Sequence, residues 1–251
     1  MRLSAFKAII RSYVKDVYHC LARTQNLLRL RIPAGVILDR SVRVTNPERI
    51  EIKPGVSIGR GVELRCSRKG KISLGTGVVL AENVILATED EGVIEVGDGT
   101  GIGPHVRMCT KTRIQIGAKN EIMAFASIES REHLHSGVLM TEEGVTIHSY
   151  NFLDTTGNIT IGANTHTGPF CLFFTHNHNF KAAGSIWQQG IRVQDIKLGS
   201  GIWMGSKVVI MPGAVVGDDS VIGACSLVTH QWGQDEVLIG IPAKSIRKRF
   251  A

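Results

Sequence analysis

Hydrophobic residues recur every six positions over most of this 251-residue chain. Short phrases of the form aliphatic, any residue, aliphatic, mostly followed by glycine, mark the period from about residue 50 onward. Stepping by six from these phrases selects 24 positions, and 21 of them are Ile, Leu, Val or Met. The positions are Ile52, Ile58, Leu64, Leu74, Leu80, Leu86, Val96, Ile102, Met108, Ile116, Ile122, Ile128, Thr141, Ile147, Leu153, Ile161, Thr167, Phe173, Leu198, Met204, Ile210, Val216, Ile222 and Val228.

A six-residue period of this kind predicts a solenoid in which each hexad is one short strand plus a corner. Three hexads would close one triangular turn, with one side chain per hexad pointing inward. Aromatic residues are only 6% of the chain and glycines number 28, as a narrow prism with tight corners requires. Pro54, Pro104, Pro169 and Pro212 each follow an inward position by two residues, where a corner tolerates proline. The pattern therefore predicts an all-β, parallel β-helix.

The period is interrupted by two long insertions. Seven extra residues separate Ile128 from Thr141, and nineteen extra residues separate Phe173 from Leu198. We expect loop excursions at about residues 129–140 and 174–195. Long loops on a rigid scaffold commonly carry function.

The N-terminal segment follows a different period. Residues 1–32 contain no Gly or Pro, and their apolar residues recur at spacings of three and four, which predicts an amphipathic helix ending before Pro33. The helix is basic. It fits either a contact with the body or a sister subunit, or an anionic membrane surface.

The net charge of +7 lies entirely in the first fifth of the chain. Residues 1–50 hold 10 Lys and Arg against 3 Asp and Glu, whereas residues 51–251 hold 19 of each. A neutral body argues against nucleic-acid binding. No apolar run has the length of a membrane span, no signal-peptide pattern is evident, and five scattered cysteines show no zinc spacing. We therefore expect a cytoplasmic protein, peripheral to the inner face of the membrane if the helix binds lipid.

Two histidines stand at the root of the longer excursion. His176 and His178 occur in the phrase Phe-Thr-His-Asn-His-Asn-Phe, where the chain leaves the predicted prism. Histidine ionises near neutral pH and suits the role of a general base. An HxH pair alone is a weak signal.

Motifs in the last hundred residues make the interpretation more specific. They are Trp-Met-Gly-Ser at 203–206, Gly-Ala-Cys-Ser-Leu-Val-Thr at 223–229 and Gly-Ile-Pro-Ala-Lys at 240–244, together with the histidine-bearing loop. With these motifs, residues 145–250 resemble the hexapeptide-repeat acyltransferases, a left-handed β-helix family that includes galactoside, maltose and polysaccharide O-acetyltransferases. The earlier coils match only as generic repeats.

The resemblance implies direct acyl transfer from acetyl-CoA to a sugar or glycolipid hydroxyl, without a required metal. It implies a homotrimer with active sites between subunits. His178 would be the general base, with His176 beside it, and the backbone N–H of Ser206 would stabilise the oxyanion. Candidate coenzyme A contacts are Trp203, Gly205, Ser206, Ala224, Thr229, Lys244 and Arg247. His230 stands where many relatives have Lys.

Candidate acceptor contacts lie about thirty residues before the histidine pair, at His148, Asn151 and Asp154. Asp154 could instead orient a histidine. We thus divide the chain into an N-terminal helix (1–32), a β-helix domain (33–240) and a basic C-terminal tail (241–251).

Three alternatives remain at this point. One is an N-acyltransferase acting on an amino sugar, because the same base suits an amine. Another is a γ-carbonic-anhydrase-like zinc enzyme, which needs three histidine ligands shared between subunits. The third is a non-catalytic scaffold. Candidate ligands for the zinc enzyme are His105, His133, His135, His148 and His166.

Overall fold

A computed structural model describes residues 29–250 of the chain. The predicted helix over residues 1–32 lies almost wholly outside the described residues. The described chain is a parallel β-helix with three faces, which confirms the predicted all-β class.

Each face is a ladder of short strands, and successive strands of a face come from successive coils. Face 1 contains Ile37–Leu38, Ser57–Ile58, Val79–Leu80, Gly101–Ile102, Glu121–Ile122, Thr146–Ile147, Trp203–Met204, Val221–Ile222, Glu236–Gly240 and Ala243–Lys248. A pair of single-residue bridges through His166 joins its two halves. Face 2 contains Arg43–Thr45, Glu63–Arg65, Ile85–Thr88, Arg107–Thr110, Ser127–Glu129, Phe152–Asp154, Leu172–Phe173, Val209–Ile210 and Leu227–Val228. Face 3 contains Ile50–Ile52, Lys71–Leu74, Val93–Val96, Arg113–Ile116, Val138–Thr141, Ile159–Ile161, Ile196–Leu198, Val215–Val216 and Gln231–Trp232.

Three elements lie outside the faces. His176–His178 pairs antiparallel with Ile191–Val193 in a hairpin, and Pro47–Arg49 and Ile186–Gln188 form single turns of 3-10 helix. The rows of corners between faces 1 and 2 and between faces 2 and 3 are called edge 1–2 and edge 2–3 below.

The coils stack in a register that places like positions above one another. On face 1, Ile58 pairs with Leu80, Leu80 with Ile102, and Ile102 with Ile122. All 24 positions selected by the six-residue period are buried. The period therefore identified the core correctly.

Aromatic side chains are placed mainly on the outside of the prism. At edge 1–2, the rings of His105, Phe125, Tyr150 and Phe170 form one column, with centroids 4.8–5.0 Å apart. All four residues have a positive φ, between 58° and 62°. Because coils repeat this left-handed corner in register, rings at equivalent positions stack face to face.

The two ends of the prism extend beyond the six-residue repeat that was recognised in the sequence. The first coil begins at Ile37, one turn before the repeat recognised from residue 50. At the other end, Ala243–Lys248 is a strand that pairs antiparallel with Glu236–Gly240, so most of the predicted tail is part of face 1. No helix within residues 29–250 has the length and apolar character needed to cross a membrane.

The inward ladder predicts where substitutions destabilise the fold. Leu86 is fully buried, whereas Leu134 in the 129–140 excursion is 93% exposed. We expect Leu86→Ala to lower the free energy of unfolding by about 2–5 kcal/mol, because it leaves a cavity in a close-packed interior. Leu134→Ala should change it by less than about 0.5 kcal/mol. Urea denaturation of both variants checks this, and equal effects would contradict the assigned ladder.

Candidate active site

The histidine pair stands on the hairpin that leaves the prism at edge 2–3. In a strand, alternate side chains share a face, so His176 and His178 point to one side and Asn177 to the other. The partner strand places Val193 opposite His176 and Ile191 opposite His178. The longer insertion therefore presents both rings on one face of a two-stranded ribbon.

The base of the hairpin is tied to the preceding coil. The backbone N–H of Gly157 donates to the Thr175 hydroxyl at 2.8 Å. The backbone and side-chain amides of Asn158 both donate to the Asp195 carboxylate, at 3.0 Å each. A Cβ on Gly157 would lie 2.7 Å from a methyl group of Val193. The absence of a side chain at Gly157 thus lets the hairpin pack closely on the coil.

Asp154 is the buried centre of the site. It ends a face-2 strand and has no exposed surface. One carboxylate oxygen accepts from the hydroxyl and N–H of Thr156, at 2.6 and 3.1 Å, and the other accepts from the N–H of Thr175 at 3.3 Å. Burial alone raises the pKa of Asp154, but hydrogen bonds from Thr156 and His176 hold it below its usual range. The carboxylate is therefore ionised at neutral pH.

The ionised carboxylate fixes the orientation of His176. Its Oδ2 lies 2.7 Å from Nδ1 of His176. Because an ionised carboxylate only accepts, Nδ1 carries the hydrogen, and the neutral ring has its lone pair on Nε2. The His176 side chain is 12% exposed. The sequence left open whether Asp154 binds an acceptor or orients a histidine, and the geometry places it against His176.

The shorter excursion brings a second carboxylate to the pair. Glu132 Oε1 lies 3.6 Å from Nε2 of His176. Ser130 shapes this loop: its hydroxyl lies 2.6 Å from the carbonyl of His135 and accepts from the N–H of Glu132 at 3.2 Å. Sequence reasoning located the excursion but did not select Glu132, because a lone glutamate in a loop carries no spacing signal.

His178 is half-buried, like His176, but its contacts are different. Its ring packs edge-on against Trp187, with centroids 4.8 Å apart, and edge-on against His176 at 5.8 Å. Its ring nitrogens make no hydrogen bond to another described residue. It lines a cleft of about 530 Å³ within the hairpin, together with Phe180, Gln189 and Arg192. A ligand in this cleft could therefore contact His178.

The remaining predicted residues lie at other parts of the prism. Gly205, Ser206 and Ala224 are at edge 1–2, and Trp203 is on face 1 beside them, 56% exposed. Gly205 packs so closely on Ala224 that a Cβ would come within 2.5 Å of its nitrogen.

Three further coenzyme candidates fall elsewhere. Thr229 is at edge 2–3, where its hydroxyl lies 2.7 Å from Nδ1 of His230. Lys244 and Arg247 are exposed on the last strand. The predicted coenzyme residues thus occupy both edges of face 2 and the end of face 1.

Two of the predicted acceptor contacts, Asn151 and His148, form hydrogen bonds within the chain. Asn151 is buried, donating to the Thr167 hydroxyl and accepting from the N–H of Cys171 at 2.7 Å, so its side chain is not free to contact an acceptor. His148 is half-buried at edge 1–2, where its Nδ1 accepts from the N–H of Ser149 at 2.8 Å. Neither residue lies on the edge that carries the hairpin.

The two edges of face 2 are too far apart to act on one bond. Lys207 is a left-handed corner residue at edge 1–2, and Met211 lies at edge 2–3 beyond the strand Val209–Ile210. Four residue steps of about 3.3 Å separate them, a distance of about 13 Å. Reacting groups must approach within about 3.5 Å. Within one chain, the histidine pair and Ser206 therefore do not form a single site.

The histidines considered as shared zinc ligands are dispersed. His105 lies in the aromatic column, and His166 bridges face 1 with its Nδ1 2.9 Å from the Thr146 hydroxyl. Within residues 29–250, one group of ligand-type side chains converges, namely Glu132, His176 and His178, whose ligand atoms lie within 4.8 Å of one another.

Comparisons with known proteins support the expected resemblance. No family model matches the chain. It is 28% identical over 120 residues to the putative lipopolysaccharide biosynthesis O-acetyl transferase WbbJ of Escherichia coli K12, covering 45% of this chain and 61% of that protein. It is 47% identical over 53 residues to the galactoside O-acetyltransferase of the same organism, covering 21% of this chain and 25% of that protein. The chain spans less than two thirds of the length of either relative.

A solved structure of a hexapeptide-repeat-containing acetyltransferase from Vibrio cholerae is also similar. It aligns with a TM-score of 0.47 at 22% identity, covering 54% of this chain and 73% of that one. The two sequence relatives confirm the expected resemblance to O-acetyltransferases.

Asp154 makes the stability of the site dependent on pH. Its lowered pKa means that the folded state favours the ionised form, so this contribution is complete above the unfolded carboxyl's pKa of about 4 and is lost as pH falls through the lower folded value. We therefore expect Asp154→Asn to destabilise the protein at pH 7, and the difference from wild type to shrink below about pH 4.

Denaturant unfolding between pH 7 and pH 2.5 measures this difference. Asp90→Asn is the matched control, because Asp90 is an exposed corner residue. A difference that stays constant on acidification would contradict the role assigned to the Asp154 charge.

Proposed function

We propose that this protein is an acetyltransferase that moves an acetyl group from acetyl-CoA to a hydroxyl group of a sugar. The observation that carries the proposal is the hairpin with two histidines, one held by a buried carboxylate and one open to a cleft, in a sequence that resembles two O-acetyltransferases. One relative is named for lipopolysaccharide biosynthesis and the other for galactoside O-acetylation, and both names favour a saccharide acceptor.

His178 is the proposed general base. Its imidazole accepts the proton of the acceptor hydroxyl as the oxygen attacks the thioester carbonyl. The carbon–oxygen bond of the ester forms, the carbon–sulfur bond breaks, and the imidazolium returns the proton to the departing thiolate. Two observations support this choice: His178 lines the cleft, and its ring nitrogens make no hydrogen bond to another described residue. A base must be free to reach the proton that it removes.

His176 is proposed as a positioning residue. Asp154 fixes its ring, and its edge contacts the ring of His178. The pair thereby limits the rotation of His178 without a direct hydrogen bond to it. Asp154 would then act on the reaction through His176, and not by the direct acceptor contact that the sequence suggested.

A second copy of the chain supplies the coenzyme side of the proposed site. The Ser206 N–H and Ala224 lie at edge 1–2 with Trp203 beside them on face 1, about 13 Å across face 2 from the edge that carries the hairpin. In a homotrimer, edge 1–2 of one subunit can face edge 2–3 of the next, which unites the two halves. Lys244 and Arg247, exposed on the last strand, are suited to the nucleotide phosphates.

We place the reaction in the cytoplasm. The four described cysteines, Cys66, Cys109, Cys171 and Cys225, are all free thiols, as a reducing compartment favours. A lipid-linked saccharide at the inner membrane face is a suitable acceptor, since the basic residues of the N-terminal segment would bring the enzyme to anionic lipid.

Substitution of the base tests the mechanism. We expect His178→Asn to lower kcat by about 10²–10⁴-fold while leaving the KM for acetyl-CoA nearly unchanged, because the base acts only in the transition state. His133→Asn is the control, since His133 is exposed in the other excursion. Steady-state kinetics with galactosides and lipid-linked saccharides as acceptors give the measurement. A larger loss in His176→Asn than in His178→Asn would move the base to the Asp154–His176 pair.

Mixed oligomers test the shared site. His178→Asn and Trp203→Ala chains, each inactive alone, should recover activity when refolded together, because some interfaces then pair two intact edges. Random assembly into trimers gives about a quarter of the wild-type sites. If trimers that mass measurement shows to be mixed recover no activity, both residues belong to the site of one subunit. If Trp203→Ala alone is fully active, Trp203 is not part of the site.

A further inference from the structure

We propose that Glu132, His176 and His178 form a binding site for a divalent transition-metal cation, for which Zn²⁺ is the best match. The site goes beyond the proposed transfer reaction, which requires no metal. Its three ligand atoms lie within 4.8 Å of one another, and they come from both excursions of the prism.

The surroundings of His176 support a cation at this place. Since Nδ1 donates to Asp154, Nε2 of the neutral ring carries a lone pair, and it faces the Glu132 carboxylate across 3.6 Å. Two acceptors that face each other repel unless a proton or a metal cation lies between them. Tetrahedral zinc, with ligands at about 2.1 Å, separates two ligand atoms by about 3.4 Å. The observed gap therefore fits a bridging cation.

The carboxylate behind His176 is a second, independent feature of metal sites. A histidine that binds zinc commonly donates its other ring N–H to a carboxylate, which fixes the tautomer and strengthens the ligand. Asp154 holds His176 in this way, and it is fully buried with donors from Thr156 and Thr175. The preferred nitrogen is thus already aimed at the site.

The ligand set selects the type of metal. Two imidazoles and one carboxylate suit zinc and other transition metals, whereas Ca²⁺ and Mg²⁺ prefer oxygen ligands alone. Two imidazoles and one carboxylate, in the forms in which these groups bind a metal, would give the ligand set a formal charge of −1. Zinc is commonly four-coordinate, so three protein ligands leave a fourth position for water or another ligand.

Occupancy of the site would regulate the transfer reaction. A metal-bound imidazole has no lone pair with which to accept a proton, so zinc on His178 should inhibit. This consequence rests on the proposed function, whereas binding does not. The two are therefore measured separately.

Calorimetric titration of the chelator-treated full-length protein with Zn²⁺, without substrates, tests the site. We expect one zinc per chain, and an affinity at least about 10-fold weaker in both Glu132→Gln and His178→Asn. Asp154→Asn keeps all three ligands and should weaken binding about 10–100-fold. His133→Asn, which removes an exposed histidine next to Glu132, should bind like wild type. Circular dichroism confirms that each variant is folded.

Co²⁺ gives a second readout, because tetrahedral Co²⁺ with nitrogen and oxygen ligands absorbs in the visible range. Absence of stoichiometric zinc binding in the wild type would overturn the proposal, and so would equal affinities in wild type and Glu132→Gln. Inhibition of acetyl transfer by Zn²⁺, reversed by a chelator, would support the regulatory consequence. If zinc binds but does not inhibit, the metal site stands and its regulatory role is rejected. If no acetyl transfer is detected, the proposed function fails, but the zinc-binding result still decides the metal site.

Discussion

The stacking of one inward side chain per hexad is the constraint on which the whole molecule depends. Each coil alone is too short to bury its apolar residues, and only the coils above and below complete the core. The register is therefore strict: Leu64, Leu86, Met108 and Ile128 form one ladder on face 2. Within residues 29–250, the interior of the narrow prism is occupied by these buried side chains. Function must lie on the edges or in segments that leave the coil.

The candidate site follows from this constraint. Both excursions leave at edge 2–3, after face-2 strands ending at Glu129 and Phe173. The coil between them ends its face-2 strand at Asp154, whose carboxylate is buried among the residues that tie the hairpin down. A buried charge is costly unless it is fully hydrogen-bonded. Here the donors that stabilise the charge also fix the hairpin, so the site and its scaffold form one network.

The sequence predicted the repeating part of the structure far better than the site. The inward positions, the two excursions and the corners at prolines such as Pro104 follow from a local rule applied many times. Asn151 shows the limit of that rule. Its residue type suggested acceptor binding, but its side chain hydrogen-bonds Thr167 and Cys171 at the corner of the next coil. Glu132 shows the opposite failure. Its position depends on how two loops fold toward each other, and no periodicity encodes that contact.

The different surroundings of the two histidines argue for different roles. His176 is held by Asp154 through Nδ1 and faces Glu132 with Nε2, so the position of its ring is fixed within the chain. His178 is two residues further along the same strand face, beyond the reach of Asp154, and its ring nitrogens are free of hydrogen bonds to described residues. A proton acceptor for a saccharide must be exposed, and a residue that positions it must be fixed. The HxH spacing provides one histidine for each role. Alternate residues of a strand share a face, but they lie at different distances from the buried carboxylate.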